Sequence, residues 1–316
     1  MSLSKETHMT PLSLNFFILV KKTFLELFSV KKFLISFGIL IALPVAFTFF
    51  PIIWNLSSSS VLMVSQILKG SIFFPCYIWT CGAVYTLLIG FIGSPLISEK
   101  VRSGSMIFLI TKPIRREAIY FGKLLALILY NTLLSLFSIL FVILITVLRY
   151  TGSLAHFISL MPFFFSLFIY SLFVNVVFSS ITISFSAILN NARFVLLILI
   201  LITIYLFVIF PFFTFTSTTL YSDLQLYTFD LGYHFVNVYF EITEILSNNI
   251  QVGSWLIYFL VFTGIIRQEY LGGLEGQVYI RTYYFSPLFS LFLWTIITVL
   301  LLFIGLLAFS RKEIFA

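Results

Sequence analysis

The sequence predicts an all-α polytopic membrane protein with six transmembrane helices, and three observations predict it. Of 316 residues, 61% are hydrophobic and only 9% are charged, against about 25% charged in an ordinary soluble domain. Six apolar stretches each reach the roughly 20 residues that a helix needs to cross a bilayer. Lys and Arg fall mainly in the connections on one side of those stretches. A chain this poor in charge cannot cover a water-facing surface. That excludes a soluble enzyme, a disordered protein and a nucleic-acid-binding domain. The net charge of +7 sits beside the hydrophobic stretches, so it marks a membrane surface and no nucleic acid partner.

Residues 1–10 are polar, carry both signs of charge and lack the short apolar core of a cleaved signal peptide, so none is expected. Residues 12–30 then predict an interface helix. Asn15, Lys22, Glu26 and Ser29 form a narrow polar stripe at helical spacing, and Leu and Phe fill the rest of the circumference. Lys21, Lys22, Lys31 and Lys32 are placed to meet the phosphates of membrane lipids. Such a helix is either a simple anchor or an elbow that docks a partner and pushes on the first span. The six spans are expected at about Phe33–Trp54, Ile72–Ile97, Ile119–Leu148, Ile158–Leu189, Phe194–Phe213 and Pro287–Phe309. Trp255–Ile266 is too short to cross and suits a re-entrant or interfacial helix before the last span.

The orientation follows from the basic residues. With both termini cytoplasmic, fourteen of the 18 Lys and Arg lie inside and four lie outside: Lys69, Arg149, Arg267 and Arg281. The expected location is therefore a cell membrane, multi-pass, with N- and C-termini cytoplasmic. No repeat or linker divides the chain, so residues 1–316 read as a single transmembrane domain. Within it stand a cytoplasmic loop at 98–118 and an extracellular segment at 214–286. Cys76 and Cys81, five apart on one helix, do not face each other, and no disulfide is expected.

The loop at 98–118 is the most informative segment. Gly104 gives it a flexible start, and Ser105 is suited to cap a following short helix. Pro113 biases Lys112 away from helix and ends that piece. Arg115 and Arg116 then stand at the interface. A positive-inside loop explains the charges. It does not explain an apolar run, Met106–Ile110, on the water side, and such a patch wants a partner.

In these residues the chain resembles the type-2 permeases of ABC exporters. Glu99, Lys100, Gly104, Ser105, Leu109, Pro113, Ile114, Arg116, Glu117, Gly122 and Lys123 follow the order of that family's loop motif between the second and third spans. The interface helix, the six spans and a short basic tail at 310–315 resemble it as well. The resemblance implies that 98–111 is a coupling helix seated in a groove of an ATPase subunit. Glu99 would lie near the interface helix and that subunit, and Met106, Ile107 and Phe108 would supply apolar contact. It also implies two ATPase subunits that bind ATP and Mg, and a second permease copy or a related permease. Closure of the ATPases would press the loops and rearrange the spans for export.

The chain itself carries no Gly-x-x-x-x-Gly-Lys-[Ser/Thr] loop, because Leu124 follows its one Gly-Lys pair. No cofactor in this chain and no enzymatic activity are therefore expected. Asn131 and Asn175 lie inside spans, where an amide serves as interhelical glue or lines a translocation path. No ionisable residue is expected deep in a span, which suits a hydrophobic or amphiphilic cargo such as a lipid, peptide or drug better than an ion. The acidic residues of 214–286 lack convergent metal-ligand spacing, so no metal is expected. Its tyrosines suit an interface belt or an exit gate. Asn55-Leu56-Ser57 forms a glycosylation sequon. The other readings are a non-transporting scaffold or sensor subunit and an intramembrane enzyme. The enzyme lacks a paired nucleophile and base in any span.

Overall fold

The computed structural model describes residues 11–49, 60–106, 115–216, 218–247, 259–270, 277–282 and 284–312. Helix α1 (Pro11–Leu27) is followed by α2 (Val30–Thr48), the first span. The second span runs Val61–Arg102 as a chain of pieces: α3 (Val61–Pro75), a π-turn (Cys76–Thr80), α4 (Ala83–Gly93), a 3₁₀ turn (Ser94–Leu96) and α5 (Ser98–Arg102). The third is α6 (Arg116–Tyr150). After the short α7 (Leu154–Ser159) comes the fourth, α8 (Met161–Ile188). The fifth comprises α9 (Ala192–Ile204), a π-turn (Tyr205–Ile209) and α10 (Phe210–Thr216). Helices α11 (Thr218–Asp223) and α12 (Leu231–Ser247) precede an antiparallel pair, β1 (Ile266–Tyr270) and β2 (Gln277–Arg281). The sixth span, α13 (Pro287–Arg311), ends the described chain. Among the described residues, six helices are long and apolar enough to cross a membrane, so the chain is a multi-pass, predominantly helical membrane protein.

Prolines explain the broken spans. Proline has no N–H to donate, and its ring clashes with the carbonyl four residues back. Pro75 immediately precedes the first π-turn, where the Cys81 N–H reaches back to the Cys76 carbonyl at 2.9 Å. Gly82 follows, and a Cβ there would stand 2.1 Å from the Tyr77 carbonyl oxygen, so only glycine fits. Pro211 lies just after the second π-turn. The widened turn absorbs the extra residue without leaving backbone groups open to lipid. Cys76 and Cys81 are free thiols, both buried.

Helix α8 is central, packing on α13, α6, α12 and α4. Its buried face is rich in small hydroxyl residues, including Ser171, Ser179, Thr182, Ser184 and Ser186. Several return their hydroxyls to their own helix, as Thr182 does to Phe178 O at 2.7 Å and Ser184 to Ser180 O at 2.7 Å. Polar atoms are thus satisfied while the small side chains let neighbouring backbones come close. One such approach is at Gly305 of α13, whose added Cβ would lie 2.7 Å from Ser184 Cα and 2.6 Å from the Tyr120 hydroxyl.

Several expectations change. The second span begins at Val61 instead of Ile72, which carries Lys69 into α3, and Lys123 lies within α6. Both lysines are buried, at 6% and 0% exposure, so the spans do hold ionisable groups. A separate turn of helix, α7, takes the predicted start of the fourth span, because Pro162 suits the first turn of a new helix. Helix α1 packs along α6, not along the first span: Gly122 of α6 admits Leu19, whose Cδ2 would be 2.7 Å from a Cβ there. Of the expected helix at Trp255–Ile266, residues 259–262 are helical; the chain then turns at Gly264 (φ 76°) and becomes β1, an element the hydropathy pattern did not reveal. The long helix of this segment is α12, packed on α8 and α13. Trp54 and the Asn55 sequon lie outside the described residues.

Gly305→Val is expected to lower stability by about 1–3 kcal/mol, the usual cost of overpacking a filled contact. That outweighs the roughly 1 kcal/mol that replacing a helical glycine returns. Thermal unfolding of the detergent-solubilised variant, followed by size-exclusion fluorescence, measures the difference.

Candidate functional site

The second span ends in a construction unlike the other helix termini. The 3₁₀ turn and α5 meet at Leu96–Ser98, where backbone groups have no helical partners. Ser186 of α8 supplies several of them: its hydroxyl donates to Ser94 O at 2.7 Å and accepts from the N–H groups of Ile97 (3.2 Å) and Ser98 (3.0 Å). The Lys123 ammonium of α6 donates to the Leu96 carbonyl. An ammonium carries three donors and suits a helix C-terminus, where carbonyls are left over. Three spans are therefore joined at one backbone break.

Beyond it, α5 closes on itself. Gly104 adopts φ 69°, the left-handed conformation that glycine tolerates. The turn returns the Met106 N–H to the Lys100 carbonyl at 2.9 Å. Ser105 donates to the same carbonyl at 3.3 Å and meets the Ser103 hydroxyl at 2.9 Å. Ser105 thus closes the end of α5 through the Gly104 turn; the helix it was expected to start lies outside the described residues. Met106 is buried in the apolar core and not offered to a partner, as the same turn folds it under α5. The exposed groups here are Glu99, Arg102, Ser103 and Ser105. Ile107, Phe108 and Pro113 lie outside the described residues.

Helix α1 reaches this turn. Lys100 Nζ lies 2.5 Å from Glu26 Oε2, with both side chains partly exposed, and this is the one ion pair among the described residues. Exposed pairs contribute at most about 1 kcal/mol, so it orients α1 more than it holds it. The residue that touches the interface helix is therefore Lys100, and its neighbour Glu99 faces outward. Lys22 and Glu26, with Ile18, Lys21 and Leu25, line a shallow groove on the free side of α1.

The other members gather at the same end. Arg116, the first residue of α6, donates to the carbonyls of Ser310 (2.7 Å) and Lys312 (3.1 Å) at the end of α13. Lys312 donates to Ala187 O at 2.8 Å at the end of α8, and burial holds its ammonium pKa below the ordinary lysine value. Glu117 is exposed in the first turn of α6, where a negative charge suits the helix dipole. These contacts bring the ends of α5, α8 and α13 and the start of α6 into one basic cluster. Sequence reasoning placed Lys123 in the loop motif without foreseeing its buried contact, and missed Ser186. Lys123 had a signal, a lysine inside an apolar span; Ser186 had none, being one serine among many.

Asn131 and Asn175 lie elsewhere, in the interior between α6 and α8, both fully buried. Asn175 donates to Ile128 O at 2.9 Å and Thr132 Oγ1 at 3.0 Å, and accepts from Ser179 at 2.9 Å. It is a bridge between two spans. The Asn131 side chain has no hydrogen-bond partner among the described residues, while its carbonyl accepts from Tyr85 at 2.9 Å. No group of three or more His, Cys, Asp or Glu able to hold a metal occurs among the described residues.

Six apolar spans, three of them joined at one end beside a basic cluster, define a multi-pass membrane component. A family model described as ABC-2 family transporter protein matches residues 17–314, nearly the whole chain. The chain belongs to the ABC-2 family and is a membrane permease subunit of an ABC transporter, a family that works with an ATPase carried on a separate subunit. A comparison with curated proteins finds no match.

If Asn175 serves to join α8 to α6, Asn175→Leu lowers stability by about 1–2 kcal/mol, the range of interhelical bonds in membranes. A double-mutant cycle with Thr132→Val, read by thermal unfolding, should return a coupling between the two positions; strict additivity would contradict the bridge.

Proposed function

We propose that this chain is the export permease of an ATP-driven transporter, and that the turn at 98–106 is where its ATPase presses. The observation that carries the reading is the three-way junction at Leu96–Ser98. A surface turn that hangs from α6 through Lys123 and from α8 through Ser186 cannot move alone. Force applied to Glu99, Arg102 and Ser105 reaches both spans at once, and two packed arrangements of such spans provide two states for a partner to choose between.

In this reading two ATPase subunits bind ATP and Mg, and a second permease copy or a related permease completes the path. The basic end faces the cytoplasm, in keeping with the positive-inside pattern. The cargo is hydrophobic or amphiphilic. Among the described residues, the buried polar groups inside the spans are amides, hydroxyls and two end-placed lysines, which offer no ring of charge to strip an ion of its water.

The expected outcome of a mild-detergent pull-down from native membranes is recovery of an ATPase containing a phosphate-binding loop. Replacing the exposed pair together, Glu99→Lys with Arg102→Glu, should reduce that recovery at least tenfold, since reversed charges at an interface cost several kcal/mol, while leaving the permease monodisperse. Undiminished recovery would move the contact away from this turn.

A further inference from the structure

Helix α6 carries an amide that none of its described neighbours satisfies. Asn131 stands near the middle of this 35-residue helix. Its side chain is fully buried, and neither Nδ2 nor Oδ1 has a hydrogen-bond partner among the described residues. The helices that pack on α6 include α2, α4 and α8, each described over its whole length. An amide enclosed in apolar surroundings with both groups unbonded is costly. Elsewhere the bundle avoids that cost. Serines bond to their own helix, as Ser138 does to Leu134 O at 2.8 Å. Asn175, on the facing span, engages Ile128, Thr132 and Ser179. Asn131 does neither.

Its surroundings form a small enclosure. Leu127, Asn131 and Ser135 share one face of α6, each a turn from the next. One turn toward the basic end, Leu127 meets both Gly93 of α4 and Thr182 of α8: a Cβ at Gly93 would stand 2.6 Å from Leu127 Cδ2 and 2.7 Å from Thr182 Cγ2. One turn the other way, Ser135 accepts from Ser171 of α8 at 3.1 Å. Beside them the buried Tyr85 of α4 donates to the Asn131 carbonyl at 2.9 Å. The amide thus lies where the second, third and fourth spans meet, bounded by side-chain contacts on both sides along the helix.

We propose that this enclosure is a site for bound water, held by the Asn131 amide. A buried water makes about three polar contacts. The amide supplies a donor and an acceptor, and the oxygens of Tyr85 and Ser135 offer lone pairs beside it. Ordering one water costs less than leaving a buried amide bare. The contacts at Leu127 and Ser135 exclude anything as large as a lipid headgroup, and no cluster able to hold a metal ion occurs among the described residues.

The site joins the same three spans as the break at Leu96–Ser98 and lies about 12 Å along α6 from Lys123. Asn175 ties α6 to α8 by direct bonds, which must break for the two helices to part. Water instead passes its hydrogen bonds from one group to another, so α4 can shift against α6 without stranding the amide. The hydrated contact is the compliant joint among these spans. That role rests on the permease reading; the water site does not.

The test is X-ray hydroxyl-radical footprinting of the full chain in lipid nanodiscs, because radicals formed from a bound water oxidise the side chains next to it. Tyr85 should be labelled although it is fully buried. Tyr120, equally buried but with its hydroxyl already bonded to Ser184 and Leu302 O, is the unlabelled reference. Asn131→Leu, which fills the enclosure with an apolar side chain, should bring the Tyr85 yield down to that of Tyr120. Asn131→Ser, which leaves room and a hydroxyl, should retain the label. A wild-type Tyr85 as silent as Tyr120 would overturn the site, with no variant needed. A label that persists in Asn131→Leu would overturn it too, since the radicals would then come from bulk water reaching the interior. Trapping the complex with the recovered ATPase, ATP and vanadate should raise the Tyr85 yield and leave Tyr120 as it is. No rise, with the variants behaving as stated, would overturn the compliant joint while the hydrated site and the permease reading both stand.

Discussion

Backbone groups with no water to meet set the terms of this structure. Within hydrocarbon an open carbonyl or N–H costs several kcal/mol, so a span may break only where something else completes it. The chain breaks its spans repeatedly and completes each break in a different way. At Pro75 and Pro211 the helix itself widens. At Leu96–Ser98 a serine and a lysine from two other spans fill the gap. At the ends of α13 and α8 the cations Arg116 and Lys312 cover leftover carbonyls. The packing of the bundle follows from these completions, since each ties one helix to a particular height on another.

The same account explains the distribution of charge. Lys123 and Arg116 are one helical face of α6, about two turns apart, and both point at carbonyl-bearing helix ends. Their family resemblance in sequence thus has a local physical reason, independent of any partner: helix ends with leftover carbonyls need cations to close them. In the proposed reading the ATPase meets the outward surface of the turn, Glu99, Arg102 and the serines, with α1 steered against it through Glu26.

Much of this was legible in the sequence. Apolar length set the six spans, and the polar stripe at Lys22 and Glu26 set α1, because both signals depend on a local period that the fold preserves. The loop at 98–118 was marked by its order of charged, glycine and proline residues. Other features were not legible because they depend on tertiary partners. Lys69 looked like a loop residue beside an apolar run; only its contact with Ser247 shows why the helix continues through it. Met106 looked like an exposed anchor because sequence places it after a charged turn, whereas Gly104 reverses the chain and buries it. The β1–β2 pair follows an apolar run whose length fitted a helix, and Gly264 with its positive φ ended that helix early. Asn131 and Asn175 were indistinguishable as isolated amides, and one proved a bridge while the other lends only its backbone.

Trp294 gives the bundle an optical consequence. The indole is 2% exposed, its Nε1 has no hydrogen-bond partner among the described residues, and its ring centre lies 4.2 Å from that of Phe235 on α12. An indole in dry, apolar surroundings emits toward the blue, and hydration moves it toward the red. Displacement of α12 would wet this ring directly. Of the four tryptophans in the chain, Trp79 is anchored to Ile39 O in a different helix pair. The protein therefore carries its own chromophore on the face where α12 rests, and a change of colour there reports a change of shape without any attached label.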